Sequence, residues 1–131
     1  IQDSSNLYIT GNFTVTGNFT SNESNTHFTG SLDSQMISGN NVHFYNFIMN
    51  KTSSDYILIP NCNITINNNA VLYNGKLSIN NIYFLIKNDL YNNNQSILEN
   101  NADFPNAFKV EGNVINDAEL NNNGWFEIGV E

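Results

Sequence analysis

The sequence predicts an all-β protein, with a β-solenoid of the right-handed β-helix type as the first choice. Three observations favour this class. Short apolar segments alternate with polar residues, asparagine occupies 29 of the 131 positions, and no segment has the periodicity of a long helix. Asparagine is a poor helix former because its amide competes for backbone hydrogen bonds, whereas it suits turns and stacked side-chain ladders. The composition therefore favours strands joined by tight turns.

A six-residue repeat opens the chain. Residues 9–14 read ITGNFT and residues 15–20 read VTGNFT, and six is not a helical period. Alternation places five odd-numbered apolar residues on one strand face, and these are our candidates for a subunit interface: Leu7, Ile9, Phe13, Val15 and Phe19. We therefore divide the chain into an N-terminal β-strand segment, residues 1–20, available for exchange between subunits, and a single β domain, residues 21–131.

Further strands are predicted at short intervals along the chain. They are rich in Ile, Val, Phe and Tyr and are mostly bounded by Asn, Gly or Ser. The predicted strands cover residues 41–49, 55–59, 63–66, 70–73, 76–79, 82–86, 109–115 and 125–130. Residues 96–102 are predicted to hold one short helical turn, which Pro105 would prevent from continuing.

Two architectures fit this pattern. In a β-solenoid, rungs of about 20 residues stack so that turn asparagines align. Four apolar anchors spaced 19 residues apart fit that rung length: Phe28, Phe47, Ile66 and Leu85. An antiparallel β-sandwich or jelly roll is the close alternative, because it also predicts a strand every 8–12 residues or so.

Two stretches resemble known extracellular proteins. Residues 7–20 resemble the TVTGN repeats of phage tail fibres and secreted surface proteins. Residues 69–84, which read NAVLYNGKLSINNIYF, are similar to the rungs of right-handed β-helical adhesin-like proteins. The resemblance implies an extracellular β-rich module for adhesion or filament formation, and it implies no particular site.

Charge excludes several classes of partner. The chain has no Arg, and its four Lys face twelve acidic residues, which gives a net charge of −8. Such a chain repels a phosphate backbone, so we expect no nucleic-acid binding.

No apolar run approaches the roughly 18 residues of a membrane span. The chain begins at Ile1 without a signal peptide, as expected for a processed or shortened chain. The single Cys62 is expected to be a small buried hydrophobe.

We predict no enzymatic activity, no metal site and no cofactor. The acids are dispersed, without the facing pair that polysaccharide hydrolysis requires, and no calcium-binding loop motif occurs. His27 and His43 lack neighbouring cysteines, so packing on a strand face or between subunits is expected. The sixteen aromatic residues are expected mostly in the core or a subunit interface, although some suit stacking on sugars.

Covalent N-glycans are a predicted modification. The chain contains six Asn-X-Ser/Thr sequons, although the same asparagines also suit ordinary turns. Turn residues surround Asn22, Asn50 and Asn94, which makes them the best candidates, whereas Asn63 is expected close to the core. The complete set is Asn12, Asn18, Asn22, Asn50, Asn63 and Asn94.

These inferences lead to a first functional hypothesis and an alternative. The first is an extracellular or cell-surface structural subunit that self-assembles into a filament, pilus-like thread or fibre through inter-subunit β-strand pairing, for instance by donor-strand exchange of residues 1–20. Its motivation is that this segment lacks the charges that usually protect a strand edge. The alternative is a carbohydrate-binding or adhesin module of a cell-surface or phage fibre protein.

Overall fold

The computed structural model describes residues 5–17, 19 and 22–129. Within these ranges the chain forms fifteen β-strands and no helix. The strands are β1 (Asn6–Ile9), β2 (Phe13–Thr14), β3 (Asn25–Gly30), β4 (Ser34–Ser38), β5 (Val42–Phe44), β6 (Asn46–Lys51), β7 (Ile57–Pro60), β8 (Ile64–Ile66), β9 (Ala70–Ile79), β10 (Phe84–Ile86), β11 (Leu90–Asn100), β12 (Phe108–Val110), β13 (Val114–Asn116), β14 (Glu119–Asn122) and β15 (Phe126–Ile128).

The strands stack in parallel as a β-solenoid of about six turns, which confirms the first predicted architecture. The antiparallel sandwich is excluded, because all pairings among the described strands are parallel. The described strands lie on three faces. Face 1 contains β1, β3, β6, β9, β11 and β13, face 2 contains β2, β4, β7, β9, β11 and β14, and face 3 contains β5, β8, β10, β12 and β15. The long strands β9 and β11 turn the corner between faces 1 and 2.

The rungs have about the predicted length of 20 residues but do not share one length, so the four anchors spaced 19 residues apart do not form one column. Neighbouring rungs are offset by 19 residues at Asn6 and Asn25 but by 24 at Asn92 and Asn116. Phe28 therefore pairs with Met49 rather than Phe47. The corners vary in length while the strands keep their register, and it is the strands that hold the stack together.

Several predicted strand boundaries also change. Residues 41–49 form two strands, β5 and β6, separated by a corner at Tyr45. Residues 109–115 are likewise divided between β12 and β13, whereas residues 70–73 and 76–79 join in β9. The helical turn predicted at residues 96–102 was wrong, because residues 96–100 continue β11 and pair with β9 and β14. A buried neighbour on each side outweighs the weak local preference for a helix.

The core is a column of inward-pointing apolar side chains, with phenylalanines at its centre. Phe47 is fully buried, and its ring centroid lies 5.6 Å from that of Phe44 and 5.7 Å from that of Phe84. The column continues from Phe84 to Phe108 at 5.7 Å and to Phe126 at 4.9 Å. Edge-to-face and offset pairs at such distances are favourable beyond the area that they bury. The core thus runs the whole length of the solenoid and reaches both of its ends.

Candidate assembly surfaces

The predicted interface residues lie in the first rung of the solenoid. Ile9, Phe13, Val15 and Phe19 pack against the core but are only partly buried, and Leu7 is 41% exposed. β1 pairs with β3 of the same molecule, and β2 pairs with β4. The described part of residues 1–20 therefore forms a rung of its own chain. Its apolar side chains point into the core. They are covered by the second rung on one side and remain uncovered on the opposite side.

A buried polar network holds this first rung in place. The Gln35 side-chain amide donates hydrogen bonds to the carbonyl oxygens of Ile9 (2.9 Å) and Gly11 (2.8 Å). Lys51, one rung further and only 1% exposed, donates through Nζ to Gln35 Oε1 (2.7 Å) and to the Thr29 carbonyl oxygen (3.1 Å). The network joins three rungs at the corner between faces 1 and 2, so it fixes the register of the first rung.

The buried Lys51 side chain has room in the interior because the residue beside it in the next rung is a glycine. A Cβ on Gly75 would lie 2.5 Å from Lys51 Cγ, and the φ of Gly75 is +113°, a conformation that other residues rarely adopt. Burial removes water from the ammonium group and lowers the pKa of Lys51 below its ordinary value. Neither of its two hydrogen-bond acceptors is a carboxylate.

The buried lysine predicts a pH dependence of stability. The unfolded chain holds the Lys51 proton up to its ordinary pKa, whereas the folded chain releases it at a lower pH. Between these two values the unfolded state binds more protons, so stability rises with pH across that window. We expect Lys51→Met to flatten this alkaline rise in urea unfolding, and Lys87→Met, at an exposed position, to leave it unchanged. Equal pH profiles for the Lys51 variant and the natural chain would contradict the assignment.

A groove lies beside the first rung on face 3. Among the described strands β5 is the outermost of this face on that side, and residues 18, 20 and 21 of the first rung lie outside the described residues. The edge of β5 borders a groove of about 530 Å³, lined among others by Val15, Phe19, Val42 and His43. Phe19 also contacts Phe44 of β5, with 5.6 Å between the ring centroids, so the first rung itself borders this edge.

The last rung has an open end. β13, β14 and β15 each pair with the preceding rung on one side only, within the described residues. Their inward-pointing side chains Val114, Leu120 and Phe126 are only partly buried, and Ile128 is 59% exposed. Within the part of the chain that the structure describes, both ends of the solenoid thus expose strand edges together with apolar side chains of the core.

Asparagine ladders run along two corners of the solenoid. In the longer ladder each amide nitrogen donates to the Oδ1 of the preceding rung at 2.9–3.1 Å. This ladder consists of Asn6, Asn25, Asn46, Asn68 and Asn88. A shorter one joins Asn123, Asn101 and Asn80 at 3.1–3.2 Å. Stacked side chains of like charge would repel each other. Stacked amides instead donate in one direction and accept in the other, so a ladder extends from rung to rung without repulsion.

The outer surface of face 1 has a largely apolar stripe. The strand registers align one outward side chain per rung. At the first rung Tyr8 stacks on His27, with 4.4 Å between ring centroids. From the first rung to the last, the stripe consists of Tyr8, His27, Ile48, Val71, Tyr91 and Ile115. A flat surface with aromatic rings also suits contact with a sugar ring.

The predicted glycosylation sites divide into two groups. Asn22 and Asn94 are exposed at positions with positive φ, and Asn50 is exposed on β6. In contrast, Asn12 and Asn63 are exposed but use Oδ1 to accept backbone N–H groups of the next rung, those of Met36 and Tyr83, both at 2.9 Å. Asn18 lies outside the described residues. Glycosylation at all these positions stays a prediction.

The other residues that the sequence singled out are dispersed. Cys62 is buried, which raises the pKa of its thiol, and it contacts the Ile37 carbonyl oxygen. His27 belongs to the stripe, and burial lowers its pKa, whereas His43 is exposed on β5. The described part of the chain contains no group of three His, Cys, Asp or Glu side chains that is able to hold a metal ion. It also contains no helix long and apolar enough to cross a membrane.

Sequence reasoning missed three features of these surfaces: the ladder order, the Lys51 network and the groove beside β5. The excess of asparagine predicted ladders in general, but only the rung register shows which asparagines are stacked. Lys51 had no distinguishing signal, because a lone lysine in a polar stretch is usually exposed.

Comparisons with known proteins add no assignment. No protein-family model, no curated protein and no solved structure matches this chain.

Proposed function

We propose that this chain is an extracellular structural subunit that self-assembles end to end into a filament through inter-subunit β-strand pairing. The observation that carries the proposal is the state of the two terminal rungs. Among the described residues, each has strands that pair on one side only, and each has half-covered apolar side chains, including Leu7 at one end and Ile128 at the other. Stacking the last rung of one copy on the first rung of the next covers both.

The two ends differ, so their contact is head to tail. A heterologous contact of this kind leaves one free end of each type on every oligomer. Unless the contacts close into a ring, the oligomer therefore grows into a fibre. Pairing occurs between the edges of complete rungs rather than through an exchanged segment, since β1 already pairs with β3 of its own chain. The extracellular location rests on the low charge density, the exposed sequons and the resemblance to surface proteins.

The test is the state of assembly of the purified chain. We expect sedimentation and negative-stain microscopy to reveal polymers whose amount rises with protein concentration. Added salt should favour them, because screening weakens repulsion between subunits of net charge −8. A chain that stays monomeric at all concentrations and salt levels would exclude the proposal.

Two variants locate the contact. Leu7→Lys and Ile128→Lys each place a charge on the exposed core of one end, so we expect folded monomers or short oligomers with an unchanged circular dichroism spectrum. Tyr73→Lys is the matched control, because Tyr73 is exposed on the side of the solenoid rather than at its end. Undiminished polymers in both end variants would contradict end-to-end assembly.

The stripe on face 1 favours a second candidate function, a carbohydrate-binding or adhesin module. This function needs no polymer and would depend on Tyr8 and Tyr91 rather than on the ends. Binding of oligosaccharides by a monomeric chain, lost in a Tyr8→Ala/Tyr91→Ala variant and retained in Ile128→Lys, would support it over filament formation.

A further inference from the structure

Two exposed aromatic rings meet at the corner between faces 2 and 3 in the last two rungs. Phe104 lies between β11 and β12, and Trp125 directly precedes β15. Phe104 is 73% exposed and Trp125 is 45% exposed, and their ring centroids lie 5.3 Å apart with planes inclined by 48°. A single exposed ring is common on a protein surface, whereas neighbouring exposed rings mark a binding surface.

Backbone hydrogen bonds hold the segments that carry the two rings. Trp125 N–H donates to the Ala102 carbonyl oxygen at 2.7 Å, which ties the last rung to the segment that contains Phe104. That segment is closed by Asn106 N–H, which donates to the Asp103 carbonyl oxygen at 2.7 Å. The spacing of the rings is thus set before a ligand arrives, which lowers the ordering cost of binding.

A carboxylate and an ammonium group lie at the edge of the indole. Trp125 Nε1 donates to Glu127 Oε2 at 2.6 Å, and Glu127 Oε1 lies 3.8 Å from Lys109 Nζ. The Glu127 side chain is still 44% exposed and that of Lys109 is 20% exposed. A carboxylate has several lone pairs and an ammonium group has three N–H donors, so both have bonding capacity left beside the rings.

We infer that Phe104 and Trp125 bind a pyranose ring of a neutral glycan, while Glu127 and Lys109 hydrogen-bond its hydroxyl groups. In β-linked glucose and N-acetylglucosamine all ring substituents are equatorial, so each ring face presents only C–H groups and the hydroxyl groups surround the edge. An aromatic surface with a few polar groups at its border matches such a ligand. The inference does not rest on filament formation, because the site lies on the side of the solenoid.

Charge favours a neutral sugar over the other ligands that aromatic rings accept. A chain of net charge −8 repels acidic sugars. A cationic ligand would gain from the aromatic faces, but Lys109 brings a positive charge to the same edge and already pairs with the Glu127 carboxylate. An uncharged ligand meets neither penalty.

The fluorescence of Trp125 tests the inference directly, because this is the single tryptophan of the chain. The probes are cellohexaose and chitohexaose, the β-linked hexasaccharides of glucose and N-acetylglucosamine. With at least one of them we expect a saturable blue shift of the emission, half complete at about 1 mM or below. The shift should persist in high salt, because the ligand carries no charge. The absence of a saturable shift with either sugar overturns the inference.

Two ring variants locate the sugar. Phe104→Ala removes one of the two rings, so we expect about tenfold weaker binding, which corresponds to about 1.4 kcal/mol. Tyr73→Ala removes another exposed ring from the side of the solenoid and should bind as the natural chain does. Tyr8→Ala/Tyr91→Ala should also retain binding. Loss of binding in this double variant, with none in Phe104→Ala, would assign the sugar to the stripe on face 1 instead.

The polar edge has its own pair of variants. Glu127→Ala removes a hydrogen-bond acceptor while both rings remain, and we expect about tenfold weaker binding in the same titration. Glu119→Ala makes the same change of charge at an exposed position of β14 and should leave the affinity unchanged. Equal affinities of the two variants would contradict the role of Glu127.

The outcomes separate this inference from filament formation. Leu7→Lys, which is expected to stay monomeric, leaves the last two rungs intact and should bind sugar as the natural chain does. Polymers without sugar binding would overturn the inference alone, and a monomer that binds sugar would overturn filament formation alone. A blue shift on polymerisation, or on addition of a lysine-rich peptide at low salt, with none on addition of sugar, would assign the rings to a protein contact and overturn the inference.

Discussion

Replacing Phe47 with alanine is expected to lower the free energy of unfolding by about 3–5 kcal/mol. Phe47 is fully buried, and its ring contacts those of Phe28 and Phe44 in the preceding rung and that of Phe84 in the following rung. The substitution removes apolar area from the core and leaves a cavity between rungs. Because strands hold the surrounding rungs in register, the cavity cannot collapse freely, so we expect the loss to lie toward the upper part of the range.

Urea unfolding of purified Phe47→Ala measures this loss. Tyr73→Ala is the control, because Tyr73 is 49% exposed and its removal should change stability by no more than about 0.5 kcal/mol. The single Trp125 reports on the last rung, whereas circular dichroism reports on all strands. Coincident transitions by the two probes would indicate that the rungs unfold together. Similar losses in both variants would contradict the central place of Phe47 in the core.

The fold class was predictable because its physical signals are local. Alternation of apolar and polar residues marks strands, and asparagine marks corners, whatever the distance between paired strands. The boundaries were less predictable where two strands follow one another across a short corner. Phe44 and Phe47 both point into the core, and only the corner at Tyr45 separates their strands, so the sequence predicted one strand over residues 41–49.

The rung length was not predictable from equal spacing of apolar residues. The corner between β6 and β7 spans residues 52–56, and the one between β11 and β12 spans residues 101–107, whereas β9 and β11 turn the corner between faces 1 and 2 without leaving the sheet. Such differences do not disturb the core, because extra residues extend outward from the corners. Leu85, predicted as a core anchor, consequently points outward between the buried Phe84 and Ile86.

The candidate interface was predictable in its residues but not in its geometry. Alternation placed Ile9, Phe13, Val15 and Phe19 on one face, and all four pack against the core. The strands that carry these residues pair with β3 and β4, and their side chains pack on the core of the same chain. No local sequence pattern reveals these partners.

Replacing Asn46 with alanine is the second large expected effect, a loss of about 2 kcal/mol in the free energy of unfolding. Asn46 is the centre of the longer ladder. Its amide donates to Asn25 Oδ1 at 2.9 Å, and its Oδ1 accepts from the Asn68 amide at 2.9 Å and from the Asn69 backbone N–H at 3.1 Å. Alanine removes all three bonds and leaves partly buried partners unsatisfied.

The comparison with another asparagine tests whether the ladder, rather than asparagine itself, is stabilising. Asn61→Ala removes an exposed side chain that stands outside the ladder, and we expect it to change stability by no more than about 0.5 kcal/mol. The Asn46→Ala loss should also be the same at low and high salt, because the bonds join uncharged amides and screening acts on charges. Equal effects of the two substitutions, or a strong salt dependence, would indicate that the stacked amides contribute little and that the apolar column alone holds the rungs together.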